Sequence, residues 1–157
     1  MTLALNQGEL SQYLAEVFPQ VREDFAIDEL TEDTVTMRLL TAERHLRPGG
    51  TVSGPSMFAL ADVCVYAMVL ARLGRQALAV TTNCSMDFMR KPEGGAQIVA
   101  ECRLLKLGKT LAVGDVLMFS QGSGKPVARA TMTYSIPPAG SAAAAFSQKM
   151  AGASPGQ

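Results

Sequence analysis

The sequence Pro55-Ser-Met-Phe-Ala-Leu-Ala-Asp-Val-Cys-Val-Tyr-Ala-Met-Val-Leu-Ala71 decides the fold, because it predicts the central element. It is apolar on nearly every face of a helix, so we expect a helix that is buried on most sides. Asp62 stands in its middle and is the only charged residue between Arg47 and Arg72. A buried carboxylate costs free energy unless it has a partner or a chemical function. This stretch is therefore the first candidate for a functional site.

The residues on either side set the limits of this helix. Ser53 fits an N-cap, and Pro55 is tolerated in the first turn because the missing N–H would have no partner there. Gly74 provides a stop after about Leu73. The preceding loop, residues 41–54, carries the strong turn signal Pro48-Gly-Gly.

The remaining pattern predicts a short amphipathic helix followed by strands. Apolar residues at helical spacing indicate a helix from Leu10 to Phe18, and alternation indicates a strand over Thr34–Leu40. Four further strands are expected after the central helix, at Leu78–Met89, Gln97–Leu107, Thr110–Ser120 and Pro126–Ile136. The last two connections are short enough for hairpins, which favours an antiparallel meander. The order predicts an α+β fold, a curved antiparallel sheet wrapped around one long central helix, with open edges that dimerisation would cover.

Length and charge exclude several classes of protein. A chain of 157 residues predicts one domain, which we place at residues 1–137, followed by a mobile Ala/Gly/Ser/Pro-rich tail at 138–157. Lys plus Arg and Asp plus Glu number 14 each, so no overall field favours nucleic acid. The apolar run is slightly short for a membrane span and has a carboxylate at its centre, so no membrane partner is expected.

Cysteine and histidine usage points to a reducing compartment without a metal. Cys64, Cys84 and Cys102 are odd in number, widely spaced and set among apolar residues. One histidine and no CxxC pair argue against a zinc site. The N-terminus lacks a basic region followed by an apolar stretch, so no signal peptide is expected and a cytoplasmic location is predicted.

The region that leads into the central helix carries a family resemblance. It reads His45-Leu-Arg-Pro-Gly-Gly-Thr-Val-Ser-Gly-Pro55 and is followed by Asp62. Together with the order of elements, it resembles the hotdog-fold thioesterases, specifically the phenylacetate-pathway (PaaI-like) acyl-CoA thioesterases. The positions that match are His45, Gly50, Gly54 and the spacing to Asp62. Three positions depart from the pattern: Arg47 for Asn, Ser53 for His and Pro55 for Gly.

The resemblance implies three catalytic residues. Asp62 would be the general base or the nucleophile toward a thioester, and the Gly54 N–H would hold the developing oxyanion. Thr81 would supply a hydroxyl from the other subunit that holds the attacking water. From the residues alone, Asp62 is equally a buried structural aspartate, Gly54 a simple helix start, and Thr81 a strand residue of high β propensity.

Substrate-binding candidates come from the same comparison and from basic turns. Arg47 could pair with Asp62 or a substrate carboxylate, or be a solvated loop arginine. Ser53 is most simply an N-cap. A serine-hydrolase mechanism is not supported, because Ser53 does not lie in a G-x-S-x-G pattern. His45 has a structural or substrate-loop role, and alternation places Asn83 on the same face as Thr81. Basic turn residues could attract the phosphates of coenzyme A: Arg90, Lys91 and Lys109.

The resemblance implies an acyl-CoA or aryl-CoA thioesterase that needs no cofactor, with coenzyme A entering only as part of the substrate. It also implies a homo-oligomer, a dimer or a dimer of dimers, with sites between subunits. The alternative is a non-catalytic acyl or acyl-CoA binding protein on the same fold, which the three departures keep open. A hotdog hydratase is disfavoured because no histidine follows Asp62.

Overall fold

A computed structural model of the chain describes residues 2–138, Ser141 and Lys149. Its helices and strands, in chain order, are α1 (Gln7–Val17), β1 (Phe25–Leu30), β2 (Thr34–Leu39), α2 (Gly54–Leu73), β3 (Val80–Phe88), β4 (Ile98–Leu107), β5 (Leu111–Ser120) and β6 (Pro126–Ser135). Short 3-10 turns occupy Pro19–Val21 and Glu43–His45. The tail predicted from residue 138 lies, except for Pro138, Ser141 and Lys149, outside the described residues.

The six strands form one antiparallel sheet in the order β1-β2-β4-β5-β6-β3. The predicted meander of β4, β5 and β6 is confirmed. Strand β3 does not pair with β4, which follows it in the chain, but with β6 at one edge of the sheet. Strand β1, which the sequence pattern did not localise, forms the other edge through β2. This curved sheet around a central helix is the predicted α+β hotdog architecture.

Helix α2 has the bounds that its flanking residues predict. The Ser53 side chain accepts a hydrogen bond from the Ser56 N–H at 3.3 Å, and Gly74, at φ 87°, follows its last residue. Gly114 of β5 allows the sheet to lie directly against the helix, because a Cβ at this position would be 2.8 Å from a Val65 methyl group. The sheet and α2 therefore share one continuous core.

By length and composition, α2 is the one helix within the described residues that could cross a membrane. Two thirds of its most apolar stretch, 67%, is buried inside the protein. A buried core helix meets the same criterion, and the contacts of α2 with β2, β4, β5 and β6 are those of a core helix.

Helix α1 begins three residues earlier than the apolar spacing predicted. Asn6 and Glu9 form a reciprocal capping box, with both hydrogen bonds at 2.9 Å, and this fixes the start at Gln7. Leu10 and Tyr13 are fully buried on the side that faces the core. Helix α1 packs against both α2 and β1, so it covers the open side of the central helix.

Strand β3 leaves an apolar edge uncovered. The side chains of Val80 and Phe88, at its two ends, are each 55% exposed, and Met89 just beyond it is 47% exposed. One side of β3 pairs with β6, and within the described residues no strand pairs with the other side. A free edge with apolar side chains is a surface suited to pairing with another strand.

Candidate active site

The carboxylate of Asp62 is half-buried and held by two hydroxyl groups. Thr81 Oγ1 donates to Asp62 Oδ1 at 2.5 Å, and the Tyr134 hydroxyl lies 2.7 Å from the same oxygen. The Tyr134 hydroxyl is also 2.9 Å from the Asp62 carbonyl oxygen. The second carboxylate oxygen, Oδ2, has no hydrogen-bond partner among the described residues. One oxygen of Asp62 is thus anchored while the other remains available for chemistry.

Thr81 lies beside Asp62 within one chain, where its hydroxyl donates to the carboxylate. That this hydroxyl serves a site formed with the other subunit stays a prediction. The contact arises because β3 runs beside β6, which places Thr81 opposite Tyr134 in the sheet. Both hydroxyl donors therefore reach Asp62 from neighbouring positions on adjacent strands.

Tyr134 is the functional candidate that the sequence pattern missed. Its side chain is buried, and its ring stacks on Tyr66 with centroids 6.0 Å apart and planes inclined by 16°. The Tyr66 hydroxyl donates to the Ala77 carbonyl at 2.6 Å, and this hydrogen bond fixes the Tyr66 ring in the stack. Burial, and then the negative charge of Asp62, raise the pKa of Tyr134 far above its usual range. Tyr134 therefore stays protonated and remains a hydrogen-bond donor at neutral pH.

Asp62 lines a pocket of about 390 Å³ whose other walls are largely apolar. The pocket lies between α2, the end of α1 and the start of β3, and its lining includes Val17, Phe18, Val63, Ala79 and Val80. Such a mixture of apolar walls with a few convergent polar groups is typical of a small-molecule site.

A bulge in β3 decides which of the residues after Thr81 lie on the half-buried face of the strand. The register shifts between Thr81 and Asn83, so Thr82 is an extra residue relative to β6. After the bulge, the half-buried residues are Cys84 and Met86, while Asn83 is exposed. The prediction that Asn83 shares the face of Thr81 is wrong, because the bulge breaks the simple alternation. Burial, and then the charge of Asp62, raise the pKa of Cys84.

A backbone N–H group that lacks a partner within the described part of the chain lies at the N-terminus of α2. The Gly54 N–H has no hydrogen-bond partner among the described residues, whereas the Ser56 and Met57 N–H groups are both satisfied by Ser53. Pro55 carries no N–H, so Gly54 presents the free donor of the first turn. A Cβ at Gly54 would lie 3.4 Å from the Phe88 ring, which shows how closely β3 approaches this donor.

Gly54 lines its own pocket, of about 440 Å³, with Arg47, Phe88, Arg90 and Lys91 among the other wall residues. None of its wall residues also lines the Asp62 pocket. Eight positions along α2 correspond to a rise of about 12 Å, so Gly54 and Asp62 do not meet within one chain. The donor and the carboxylate thus belong to two separate pockets.

The loop residues that resemble the family motif have mainly structural contacts. The buried His45 ring accepts the Ala42 N–H at Nδ1 and lies 2.9 Å from Asp24 through Nε2, so Nε2 is the donor nitrogen. Ser53 caps α2, as its position predicted. The Arg47 side chain is exposed and forms no ion pair within the described part of the chain, so the pairing with Asp62 considered above does not occur there.

The basic candidates fall into two groups. Arg90 and Lys91 follow the end of β3 beside Gly54, and the Arg90 guanidinium donates to the Pro126 carbonyl at 3.0 Å. Lys109 lies in the β4–β5 turn, which the strand register places at the opposite end of the sheet, where β3 begins. Within the described residues no cluster of His, Cys, Asp and Glu has the form of a metal site.

Comparison with known proteins shows to which family the chain belongs. A protein-family model described as "Thioesterase superfamily" matches residues 49–127, about half of the chain. The chain belongs to the thioesterase superfamily. The matched span contains Gly54, Asp62, Thr81, Arg90 and Lys91, but it begins after Arg47 and ends before Tyr134.

Individual relatives agree with this membership. A crystal structure of a protein assigned provisionally as a thioesterase, from Silicibacter sp. TM1040, is 67% identical; it covers 88% of this chain and 96% of its own, with a TM-score of 0.83. Mouse acyl-coenzyme A thioesterase 13 is 27% identical over 74% of this chain and 82% of its own length. A mutant of the phenylacetic acid degradation protein PaaI from Thermus thermophilus is 26% identical; it covers 76% of this chain and 99% of its own, with a TM-score of 0.65. Thioester hydrolysis is therefore the activity of the family to which this chain belongs.

Proposed function

We propose that this thioesterase hydrolyses acyl-CoA or aryl-CoA thioesters, with Asp62 as the general base or nucleophile and the Gly54 N–H as the oxyanion donor. The observation that carries the proposal is the Asp62 carboxylate, whose Oδ1 is fixed by Thr81 and Tyr134 and which lines a pocket with largely apolar walls. Two hydroxyl donors hold the carboxylate in one orientation, which both mechanisms need.

The two mechanisms share their bond changes and differ in the first step. In the general-base route, Asp62 removes a proton from water as the water oxygen bonds to the thioester carbonyl carbon. In the nucleophilic route, Oδ2 forms a mixed anhydride with the acyl group, and water then hydrolyses it. In both, the carbonyl oxygen gains negative charge beside the Gly54 N–H, the C–S bond breaks, and the coenzyme A thiolate takes up a proton.

The positions of the Asp62 and Gly54 pockets support a site shared between two copies of the chain, of which each pocket would be one half-site. Thr81 and Asp62 lie at the start of β3, whereas Phe88 and Gly54 lie at its end. If two β3 edges pair antiparallel about a twofold axis, the start of each strand meets the end of the other. The Asp62 pocket of one copy then faces the Gly54 pocket of its partner, and the exposed apolar side chains of β3 are covered.

The walls of the Gly54 half-site suit the nucleotide end of the substrate. Arg90 and Lys91 are both exposed there, and Arg47 adds a guanidinium without a partner in the described chain. Basic side chains at a pocket mouth bind phosphate groups. Coenzyme A would thus lie on the Gly54 side, and the acyl group would extend toward Asp62 of the other copy.

Asp62→Asn tests the proposed chemistry. It keeps the shape of the side chain but removes the base and weakens the nucleophile, so we expect at least a roughly hundredfold fall in turnover of an acyl-CoA panel. Asp87→Asn is the matched control, because Asp87 is an exposed aspartate paired with Arg129 on the outer side of β3. Undiminished turnover in Asp62→Asn would refute the assigned role. No turnover of any thioester by the wild type would favour an acyl-CoA binding protein.

The shared site is tested by mixing two inactive variants. Gly54→Pro removes the donor N–H at a first helical position, where proline is well tolerated, and Gly54→Ala retains it as the control. After reassortment of subunits, Gly54→Pro and Asp62→Asn together should recover about a quarter of wild-type activity, since half of the dimers are mixed and each has one intact site. A mixture that stays inactive while mixed dimers form would place each site within one chain.

A further inference from the structure

A second apolar cavity adjoins the Asp62 pocket beneath α1. It has a volume of about 320 Å³ and lies between α1, β1 and α2. Leu14 and Ala15 line it from α1, and Phe25 and Ile27 line it from β1. Phe18 and Val63 belong to the walls of both cavities, so the two are neighbours separated by these side chains.

Phe18 has the position of a partition between them. It follows the last residue of α1, where the backbone leaves the helix at φ −131° and ψ 57°. Its half-buried ring meets Tyr66 edge to face, with centroids 6.3 Å apart and planes inclined by 70°. Tyr66 in turn stacks on Tyr134, which holds Asp62. The wall that separates the cavities is therefore built onto the same aromatic stack that supports the carboxylate.

The cavity beneath α1 differs in chemical character from the Gly54 pocket, whose walls include Arg47, Arg90 and Lys91. Its lining is almost wholly apolar, with Ser11 and Arg22 as its polar members. Its volume is about twice the 150 Å³ that accommodates a benzene molecule in an engineered protein cavity, so it has room for roughly ten carbon atoms. An acyl chain that passes Asp62 would enter it after displacing or turning the Phe18 ring.

We infer that the cavity beneath α1 is the binding compartment for the distal part of an apolar acyl group, and that Phe18 and Ala15 determine acyl length. This inference rests on the proposed thioesterase function and deepens it. It names the substrate class as acyl-CoA thioesters with an apolar acyl group of about six to ten carbons, in preference to acetyl-CoA. The carbonyl lies at Asp62, and the tail lies between α1 and β1.

The test measures kcat/KM for acetyl-, hexanoyl- and decanoyl-CoA. The wild type should prefer decanoyl-CoA to acetyl-CoA by at least about tenfold, because each methylene placed in an apolar pocket improves kcat/KM. Ala15→Leu fills the cavity from α1, and Ala26→Leu fills it from β1. Each should lower the ratio of decanoyl-CoA to acetyl-CoA turnover by at least about tenfold. Gln12→Leu, on the exposed face of α1, is the matched control and should leave that ratio unchanged.

Phe18→Ala tests the partition in the opposite direction. Removal of the ring joins the two cavities, so kcat/KM for tetradecanoyl-CoA relative to decanoyl-CoA should increase compared with the wild type. The two filling variants come from different elements, so a folding failure of one still leaves the other as a test. Melting curves identify which variants remain folded.

The outcomes separate this inference from the proposed function. Hydrolysis of acetyl-CoA as well as or better than decanoyl-CoA, or filling variants that leave the ratio unchanged, would overturn the inference and leave the thioesterase function standing. If no thioester is hydrolysed, the proposed function fails; calorimetric binding of decanoyl-CoA then decides the inference. Binding at least about tenfold tighter than that of acetyl-CoA, lost in Ala15→Leu, would support the compartment, and equal binding would overturn it.

Discussion

Tyr134→Phe tests whether the hydroxyl beneath Asp62 positions the carboxylate. The substitution removes one oxygen and leaves the ring, so the stack with Tyr66 and the burial of the side chain are retained. Oδ1 loses the donor at 2.7 Å and keeps Thr81 at 2.5 Å. The Asp62 carbonyl also loses a contact at 2.9 Å, but a single hydroxyl proton serves only one of these acceptors at a time.

The size of the effect follows from the charge on the acceptor. A hydrogen bond to a charged group contributes about 1.5–3 kcal/mol, and about 1.4 kcal/mol corresponds to a tenfold change in rate. We therefore expect kcat/KM to fall by roughly 10- to 100-fold. Most of the fall should appear in kcat, because Tyr134 contacts the carboxylate that performs the chemistry.

The assay measures kcat and KM for one good acyl-CoA substrate, with melting temperatures measured in parallel. Tyr13→Phe is the matched control, because Tyr13 has a buried hydroxyl without a side-chain contact to Asp62. It should share any general effect of removing a buried hydroxyl but keep the wild-type kcat. A Tyr134→Phe enzyme with unchanged kcat would refute the positioning role. A loss of melting temperature alone would assign Tyr134 to stability.

Two further predictions concern the stability of the fold. Gly114→Ala should lower the free energy of unfolding by about 1–3 kcal/mol, because its Cβ would lie 2.8 and 2.9 Å from the two Val65 methyl groups. Urea unfolding measures this loss. Adding Val65→Ala to the same chain should restore part of the lost stability, and no recovery would show that the clash with Val65 is not its cause. Burial is the largest cause that raises the pKa of Tyr13, Tyr66 and Tyr134. The folded state therefore favours the neutral tyrosines. Their contribution to the free energy of unfolding is complete below pH 10 and is lost as the pH rises above it. Absorbance at alkaline pH should therefore show tyrosinate formation together with unfolding, and ionisation of all three tyrosines near pH 10 in a folded protein would contradict their burial.

The sequence alone was sufficient for the central helix and the position of its carboxylate. The Ser53 cap, the Gly74 stop and the unbroken apolar run are local signals, and all three hold in the structure. The short turns that join β4, β5 and β6 are also local, because few residues separate the paired strands. Helix α1 shows a local signal that was overlooked, since Asn6 and Glu9 have the spacing of a capping box.

Other features had no local signal strong enough to predict them. Strand β1 has a weak alternation of burial, and it becomes a strand because it pairs with β2. The bulge at Thr82 turns Asn83 away from Asp62, although simple alternation placed it beside Thr81. His45 matches a family position, but its ring is engaged by Asp24 and Ala42.

The sequence by itself determined that one carboxylate lies inside an apolar helix that starts at Gly54. Tertiary structure decided what surrounds that carboxylate. Tyr134 is 72 residues from Asp62 along the chain, and they meet because β6 packs against α2, while the pairing of β3 with β6 brings Thr81 to the same carboxylate. Helical spacing also kept Gly54 and Asp62 apart, since eight residues rise about 12 Å. Local propensities set the helix and its ends, whereas long-range strand pairing set the partners of Asp62, because that pairing depends on the packing of the whole sheet around α2.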